Sequence, residues 1–313
     1  MSFGYSVLGF GGYTNRFSIS NFGGRGVFAG EAVMDYVAIA TNGNATDFGD
    51  MSVGNGGKGA ACSNGSRGVM TTSNDATMGY ITFSTLGNTT VFGELTSNYT
   101  NGAEATSNHL DRGMWMGGYG NDSGSYQLYN VIDYITISTT GNAVDFGDLN
   151  VTSWGGAAGC STTSGRAFLG IGSENGTGNA STSISYFNTL ALGNASDFGN
   201  LSYRVEWASA IADSTRGIIA AGVQYSGNEK GMEYITIANT GNATDFGDTT
   251  GVLTYRSGTC GNNVRGLIGG GYNYGTSSGW ATIDVITIQT TGNAADFGDL
   301  TVGRQVGGGL SGD

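Results

Sequence analysis

The chain contains no proline, one histidine, two lysines and three cysteines, and only 12% of it is charged. Each shortage removes a class of function. A single histidine, His109 in the polar stretch Ala105 to Asp111, argues against histidine-built metal centres and against a Ser-His-Asp triad; it reads as a solvated loop residue. With Lys58 and Lys230 as the only lysines, a net charge of −12 and a pI near 4.3, the chain lacks the clustered cations that phosphate backbones require, so no nucleic-acid partner is expected. No apolar run is long enough to span a bilayer, so no membrane insertion is expected. Met1 to Tyr5 shows no basic segment leading into an apolar one, so no secretory signal is expected. A protein exported within a particle would need none.

Glycine fills the gap left by proline. It makes up 59 of 313 residues, against about 7% in ordinary chains. With 38% hydrophobic residues and regular β-branched runs, this composition predicts tight turns between short strands rather than disorder.

One phrase recurs six times: a Tyr-Ile-Thr-Ile-like strand, a Gly-Asn turn, then Asp-Phe-Gly-Asp or a near copy. The copies begin at Asp47, Val91, Asp145, Asp197, Asp245 and Asp296, spaced 44, 54, 52, 48 and 51 residues apart. A period near 50 indicates a propeller or solenoid. Repeat six divides into four strands. Ser257–Cys260 is a short strand of small residues (A), and Arg265–Gly271 is B. Asp284–Ile288 is C. The Asp-Phe-Gly-Asp phrase is read as a turn, with D beginning at Leu300. Four short strands per period make one blade.

Two spacings separate scaffold from variable parts. From the strand C position (Tyr36, Tyr80, Tyr134, Tyr186, Tyr234, Val285) to the motif Phe is 12 residues in every copy. From the repeat arginine (Arg25, Arg67, Arg112, Arg166, Arg216, Arg265) to that position is 11, 13, 22, 20, 18 and 20 residues. The C–D hairpin is constant and the B–C loop varies, so recognition is expected in the latter. An arginine at the A–B end and acids at a C–D turn would share one face. A repeated bracket of these arginines with Asp50, Glu94, Asp148, Asp248 and Asp299 is therefore predicted, each pair contributing about 0–1 kcal/mol. The competing reading, a calcium ring on the acids, lacks an Asp-x-Asp-x-Asp loop. No metal or cofactor is expected.

Cys62, Cys160 and Cys260 occupy equivalent places in alternate repeats, which sets them apart around a ring. They read as small buried fillers rather than disulfides.

The architecture resembles the kelch-type β-propellers. Met114-Trp115-Met116-Gly117-Gly118 and Leu267-Ile268-Gly269-Gly270 carry the family's hydrophobic run and glycine pair, while Phe of the motif stands where a Trp would be. Ala29-Gly30-Glu31 and Ala221-Gly222 degrade the pair. The stretch Val131 to Leu149, with Gly159-Cys160-Ser161 and Arg216-Gly217, more closely resembles kelch-like repeat proteins encoded by marine and cyanobacterial bacteriophages. That resemblance implies a non-enzymatic virion component (tail, fibre or surface decoration) located on the particle, with other virion proteins or its own copies as partners.

The fold expected is all-β, a six-bladed kelch-like propeller of four-stranded blades over 13–313 with an N-terminal arm at 1–12. The alternative is a seventh, partial blade built from both termini. Arg16 to Ser20 aligns with the first strand A, and Gln305 to Gly312 also resembles a strand A. Enzyme readings find little: acids are numerous enough for paired carboxylates, but the repeat accounts for most of them, and no glycine run ends in Gly-Lys-Ser/Thr. Binding is the stronger functional reading. Tyr119, Tyr126, Tyr129, Tyr225, Tyr272, Tyr274 and Trp280 in the B–C loops, with Trp154 and Trp207 in the D–A segments, place aromatics among Gly, Ser and Asn on one face. That mixture suits adaptable recognition, including a host-surface glycan. Packing of these aromatics on blade ends is the competing reading.

Overall fold

A computed structural model describes residues 24–52, 59–71, 75–98, 101–108, 110–121, 126–174, 180–220, 222–224, 230–251, 255–273 and 278–312. It has six four-stranded antiparallel blades, each ordered A to D from the central axis outward. Blades 2 to 6 take their A strands from Ala61–Ser63, Glu104–Ser107, Ala157–Cys160, Ser209–Ala212 and Gly258–Gly261. Their B strands begin at the repeat arginines. His109 and the proposed arm lie outside the described residues.

Blade 1 closes the ring. Its inner strand is Gly308–Gly312, paired antiparallel to Arg25–Gly30 from Arg25↔Gly312 to Ala29↔Gly308. The C-terminal segment therefore occupies the strand A place that the sequence reading also offered to Arg16–Ser20, which lie outside the described residues. The ring has six blades, not seven.

The strands are buried on both faces. In blade 3, strand C Val131–Thr136 turns Ile132 into the junction with blade 4 and Ile135 into the junction with blade 2, because successive side chains of a strand point to opposite faces and both faces are covered by neighbouring blades. The buried residues form six clusters, one per blade junction; that between blades 1 and 2 holds Val27, Phe48, Met70, Ile81, Phe83 and Leu310. Cys62, Cys160 and Cys260 are buried and free. Burial pushes the Cys160 thiol up to about 12 and those of Cys62 and Cys260 higher still.

The recurring phrase is strand D itself, not a turn: Thr46–Asp50, Thr90–Glu94, Val144–Asp148 and their counterparts are strands with a bulge against strand C. Its role is to clasp the next blade. The Gly N–H of each Gly-Asn turn donates to the Phe carbonyl of the preceding blade, from Gly87 to Phe48 through Gly43 to Phe297, at 2.7–3.2 Å. The adjoining Asn side chain accepts from the last motif residue, as in Asp50 N–H to Asn88 Oδ1 (2.9 Å) and Asp299 N–H to Asn44 Oδ1 (3.1 Å). The motif glycine has no room for a side chain: a Cβ on Gly298 would stand 2.5 Å from the Gly43 carbonyl oxygen.

The predicted arginine–acid bracket does not form. The only ion pair among the described residues is Arg304–Asp35, at 2.8 Å and buried. Register explains the failure. Arg25 lies opposite Ala38 whereas Asp50 lies opposite Val33, so they occupy opposite ends of the blade, roughly 17 Å apart along the strand. The same holds for Arg67 and Glu94, Arg112 and Asp148, Arg216 and Asp248, and Arg265 and Asp299. The guanidiniums instead cover the strand C tyrosines, at 3.9 Å for Arg166 over Tyr186 and 4.6 Å for Arg25 over Tyr36. In blade 6, where Val285 replaces Tyr, Arg265 sits 5.4 Å from the Phe297 ring centre. Each then donates to the strand C carbonyl end of the next blade: Arg25 to Phe83, Arg67 to Ile137, Arg112 to Thr189, Arg166 to Ala238, Arg216 to Ile288 and Arg265 to Ile39.

A second inter-blade latch uses buried acids of strand C. Asp35, Asp133, Glu233 and Asp284 accept from Thr301, Thr96, Ser202 and Thr250 of the preceding blade. Burial raises the Asp284 pKa, and the bonds from Thr250 oppose that rise.

Candidate functional site

With the C–D hairpins and repeat arginines committed to holding blades together, the remaining chemistry lies on the other face, around the central axis. The six inner strands enclose a cavity of about 180 Å³ walled mostly by Gly, Ala, Ser and Thr. Its rim on the B–C/D–A face is a belt of backbone hydrogen bonds between successive blades. Gly155 N–H donates to Gly102 O, Trp207 to Gly155, Arg256 to Trp207 and Val306 to Arg256, at 2.5–3.2 Å.

The belt shows where the copies diverge. Strand register makes Gly102, Gly155, Trp207, Arg256 and Val306 equivalent. Gly102 and Gly155 have φ of +71° and +64°; Trp207 and Arg256 adopt +58° and +61°, a region that costs a non-glycine residue roughly 1 kcal/mol or more. Two bulky residues are thus held where glycine would be unstrained. Two positions further on, the equivalents are Ala60, Glu104, Ala157, Ser209, Gly258 and Gly308. One blade alone places a carboxylate there.

Glu104 lines the cavity. Loss of bulk water raises its pKa well above the usual carboxylate range, and the Arg256 guanidinium across the rim offsets only part of that rise. The two do not approach within ion-pair distance. Arg256 lies 3.8 Å over the Trp207 ring and reaches Gln305 Oε1 at 3.4 Å. Trp207 is 5% exposed and packs where side chains on Gly102 and Gly155 would stand, so it spans the mouth from blade 5 to blades 3 and 4.

An aromatic row leads outward from this rim. Trp154 meets Trp207 edge-on at 4.8 Å, and Tyr119 lies 5.8 Å from Trp154. Tyr255 flanks Trp207 on the other side at 6.3 Å. Of the aromatics proposed from sequence, the structure thus brings together Tyr119, Trp154 and Trp207. Tyr129 is buried in the cluster between blades 2 and 3, with its hydroxyl accepting from Gln127; it is core, not contact surface. Trp280 packs against the cluster between blades 5 and 6. Tyr272 is half-buried, its N–H bonded to the Tyr255 carbonyl. Tyr225, Tyr274 and the Tyr126 side chain lie outside the described residues.

Sequence reasoning passed over Glu104, Tyr255 and Arg256. The available signal was divergence between copies at the start of strand A, which becomes visible only after the strands are registered. Among the described residues no cluster of three or more His, Cys, Asp or Glu is arranged to hold a metal.

No protein-family profile matches the chain, and no curated protein matches it. Among solved structures, one described as the structure of YjhT matches with a TM-score of 0.62, covering 81% of this chain and 86% of its own, at 12% identity. At that identity the likeness concerns fold alone, and the shared fold is the β-propeller.

Proposed function

We propose that this chain is a non-enzymatic structural or decoration protein of a bacteriophage virion. Its propeller packs against other virion proteins or its own copies, and its B–C/D–A face contacts the host surface. The observation that carries the binding role is the half-buried pair Tyr119 and Trp154 beside the cavity mouth, backed by the buried Trp207. The pair stands on the face opposite the C–D turns and the repeat arginines, which clasp successive blades. The virion assignment is supported by the resemblance of the repeats to phage-encoded kelch-like proteins. Peptide mass spectrometry of purified particles tests it: the chain is expected among the virion proteins, and its absence there ends the proposal. The binding role is tested by adsorption of purified protein to host cells, expected to fall on Trp154→Ala.

A second reading, a glycan-binding propeller, is favoured by half-buried Tyr119 and Trp154, since aromatic rings of this kind stack on sugar faces. The two readings coincide if the virion protein is itself the adhesin.

A further inference from the structure

We propose that Asn42 is a self-modification site at the seam between blades 6 and 1. The Gly43 backbone nitrogen attacks the Asn42 side-chain amide, Arg265 assists, and the residue ends as aspartate or isoaspartate. The inference is independent of the surface-binding reading above.

Three observations converge. First, the residue ahead of the turn glycine is Leu86, Thr140, Leu192, Thr240 and Thr291 in blades 2 to 6 but Asn42 in blade 1. Of the six turns, only this one sets a side-chain amide directly before a backbone nitrogen that no side chain shields. Asn42 and Gly43 are both exposed, and the place a Gly43 Cβ would take is open space. Second, the Asn42 amide is held at both ends. Arg265 Nη2 donates to its Oδ1, and its Nδ2 donates to the Asp296 carbonyl oxygen at 3.2 Å. Negative charge develops on Oδ1 as the nitrogen attacks, so the guanidinium already stands where it stabilises the tetrahedral intermediate. A bond to Ile39 O at 2.8 Å anchors the same guanidinium. Third, the nucleophile is restrained. Gly43 N–H donates to Phe297 O at 2.9 Å, so attack requires this inter-blade clasp to open locally.

The reaction needs no co-reactant but water. Gly43 N bonds to Asn42 Cγ, the Cγ–Nδ2 bond breaks, and Nδ2 leaves as ammonia with the proton that Gly43 N gives up. Water then opens the five-membered imide. Cleavage at Cγ leaves an aspartate at position 42; cleavage at the main-chain carbonyl leaves an isoaspartate. The imide nitrogen carries no proton, so the intermediate has lost its bond to Phe297 O. Isoaspartate adds a carbon to the main chain and displaces Gly43 N–H from that oxygen. Aspartate keeps Arg265 as an ionic partner but has no donor for Asp296 O. The seam is thus marked irreversibly once it has opened.

Peptide mapping of the folded full chain held at pH 8, with isoaspartate scored by enzymatic methylation, reads the conversion. The same chain unfolded in urea gives the intrinsic rate of the Asn-Gly pair. Position 42 should convert to both products in the folded parent. Gly298→Ala, whose Cβ pushes against the Gly43 carbonyl and loosens the clasp, should convert roughly fivefold faster, the effect of losing one hydrogen bond. Arg265→Gln should convert several-fold more slowly when folded and at the parent rate in urea. That direction separates activation from packing. Arg265→Gln also loses the bond to Ile39 and loosens the turn, so a merely structural arginine would make the variant faster. Gly43→Ala should fold normally and slow conversion in both states, because its methyl shields the nitrogen. Three results overturn the proposal: an unconverted Asn42 in the folded parent while the unfolded chain converts, a folded Gly298→Ala no faster than the parent, or a folded Arg265→Gln as fast as the parent or faster. If Gly298→Ala does not fold, the parent and Arg265→Gln decide the question between them.

Discussion

Replacing Gly298 with alanine should destabilise the ring far more than the same change at Gly43, the residue that faces it. Gly298 has φ +150°, and an added Cβ would lie 2.5 Å from the Gly43 oxygen and 2.6 Å from its carbonyl carbon. Both obstacles are backbone and cannot swing aside. The unfavourable φ alone costs roughly 1–3 kcal/mol. Pushing the turn away also weakens Gly43 N–H to Phe297 O (2.9 Å), Ala45 N–H to Asp299 O (2.7 Å) and Asp299 N–H to Asn44 Oδ1 (3.1 Å), each contributing about 1 kcal/mol. Allowing for partial relaxation, the sum is about 3–5 kcal/mol. At roughly 2 °C per kcal/mol for a chain of this size, the melting temperature should fall by about 6–10 °C. Gly43→Ala meets open space and should cost less than about 1 kcal/mol. Differential scanning calorimetry of both variants at one scan rate decides the matter. Equal shifts, or a Gly298→Ala shift under about 2 °C, would refute the claim that the motif glycine exists to admit the next blade's turn.

Arg67→Ala removes a guanidinium 4.3 Å over Tyr80 and its bonds to Ile137 and Ser138 carbonyls, and should cost about 1–3 kcal/mol by urea denaturation. Asp148→Asn should stay within about 0.5 kcal/mol of the parent, because no arginine pairs with it; a large loss would restore the bracket that the register excludes. The three thiols should resist a disulfide reagent at pH 8 in the folded protein and react together on unfolding, since burial holds all of them protonated. Rapid labelling of the native chain would contradict their burial. Glu104 has a raised folded pKa, so its ionisation costs stability as pH climbs above the unfolded carboxylate range. Glu104→Gln should therefore match the parent near pH 4 and exceed its thermal stability increasingly toward neutrality. A constant difference across that range would argue against a desolvated carboxyl.

Much of the architecture was legible because it repeats. The 12-residue interval from Tyr36 to Phe48 and its copies is the local geometry of one hairpin, and local geometry is carried by adjacent residues. The small-residue inner strands and the buried cysteines follow from the same logic, since only small side chains fit near an axis. The arginine partners were not legible. A periodic sequence places an arginine and an acid in every blade, but whether they meet depends on strand register, and register put Arg25 and Asp50 at opposite ends. Nor could the pattern show that each Gly-Asn turn serves the preceding blade rather than its own.

The sequence by itself determined a six-fold β scaffold, its constant hairpins and the face on which the loops vary, because these follow from period, turn residues and alternation. Only the tertiary structure decided that the last strand supplies the inner edge of the first blade, since ring closure joins segments some 280 residues apart. Only it, too, gathered Glu104, Trp207 and Arg256 from three blades onto one rim, because residues that diverge from a repeat acquire a common place only when the repeats are wrapped around an axis.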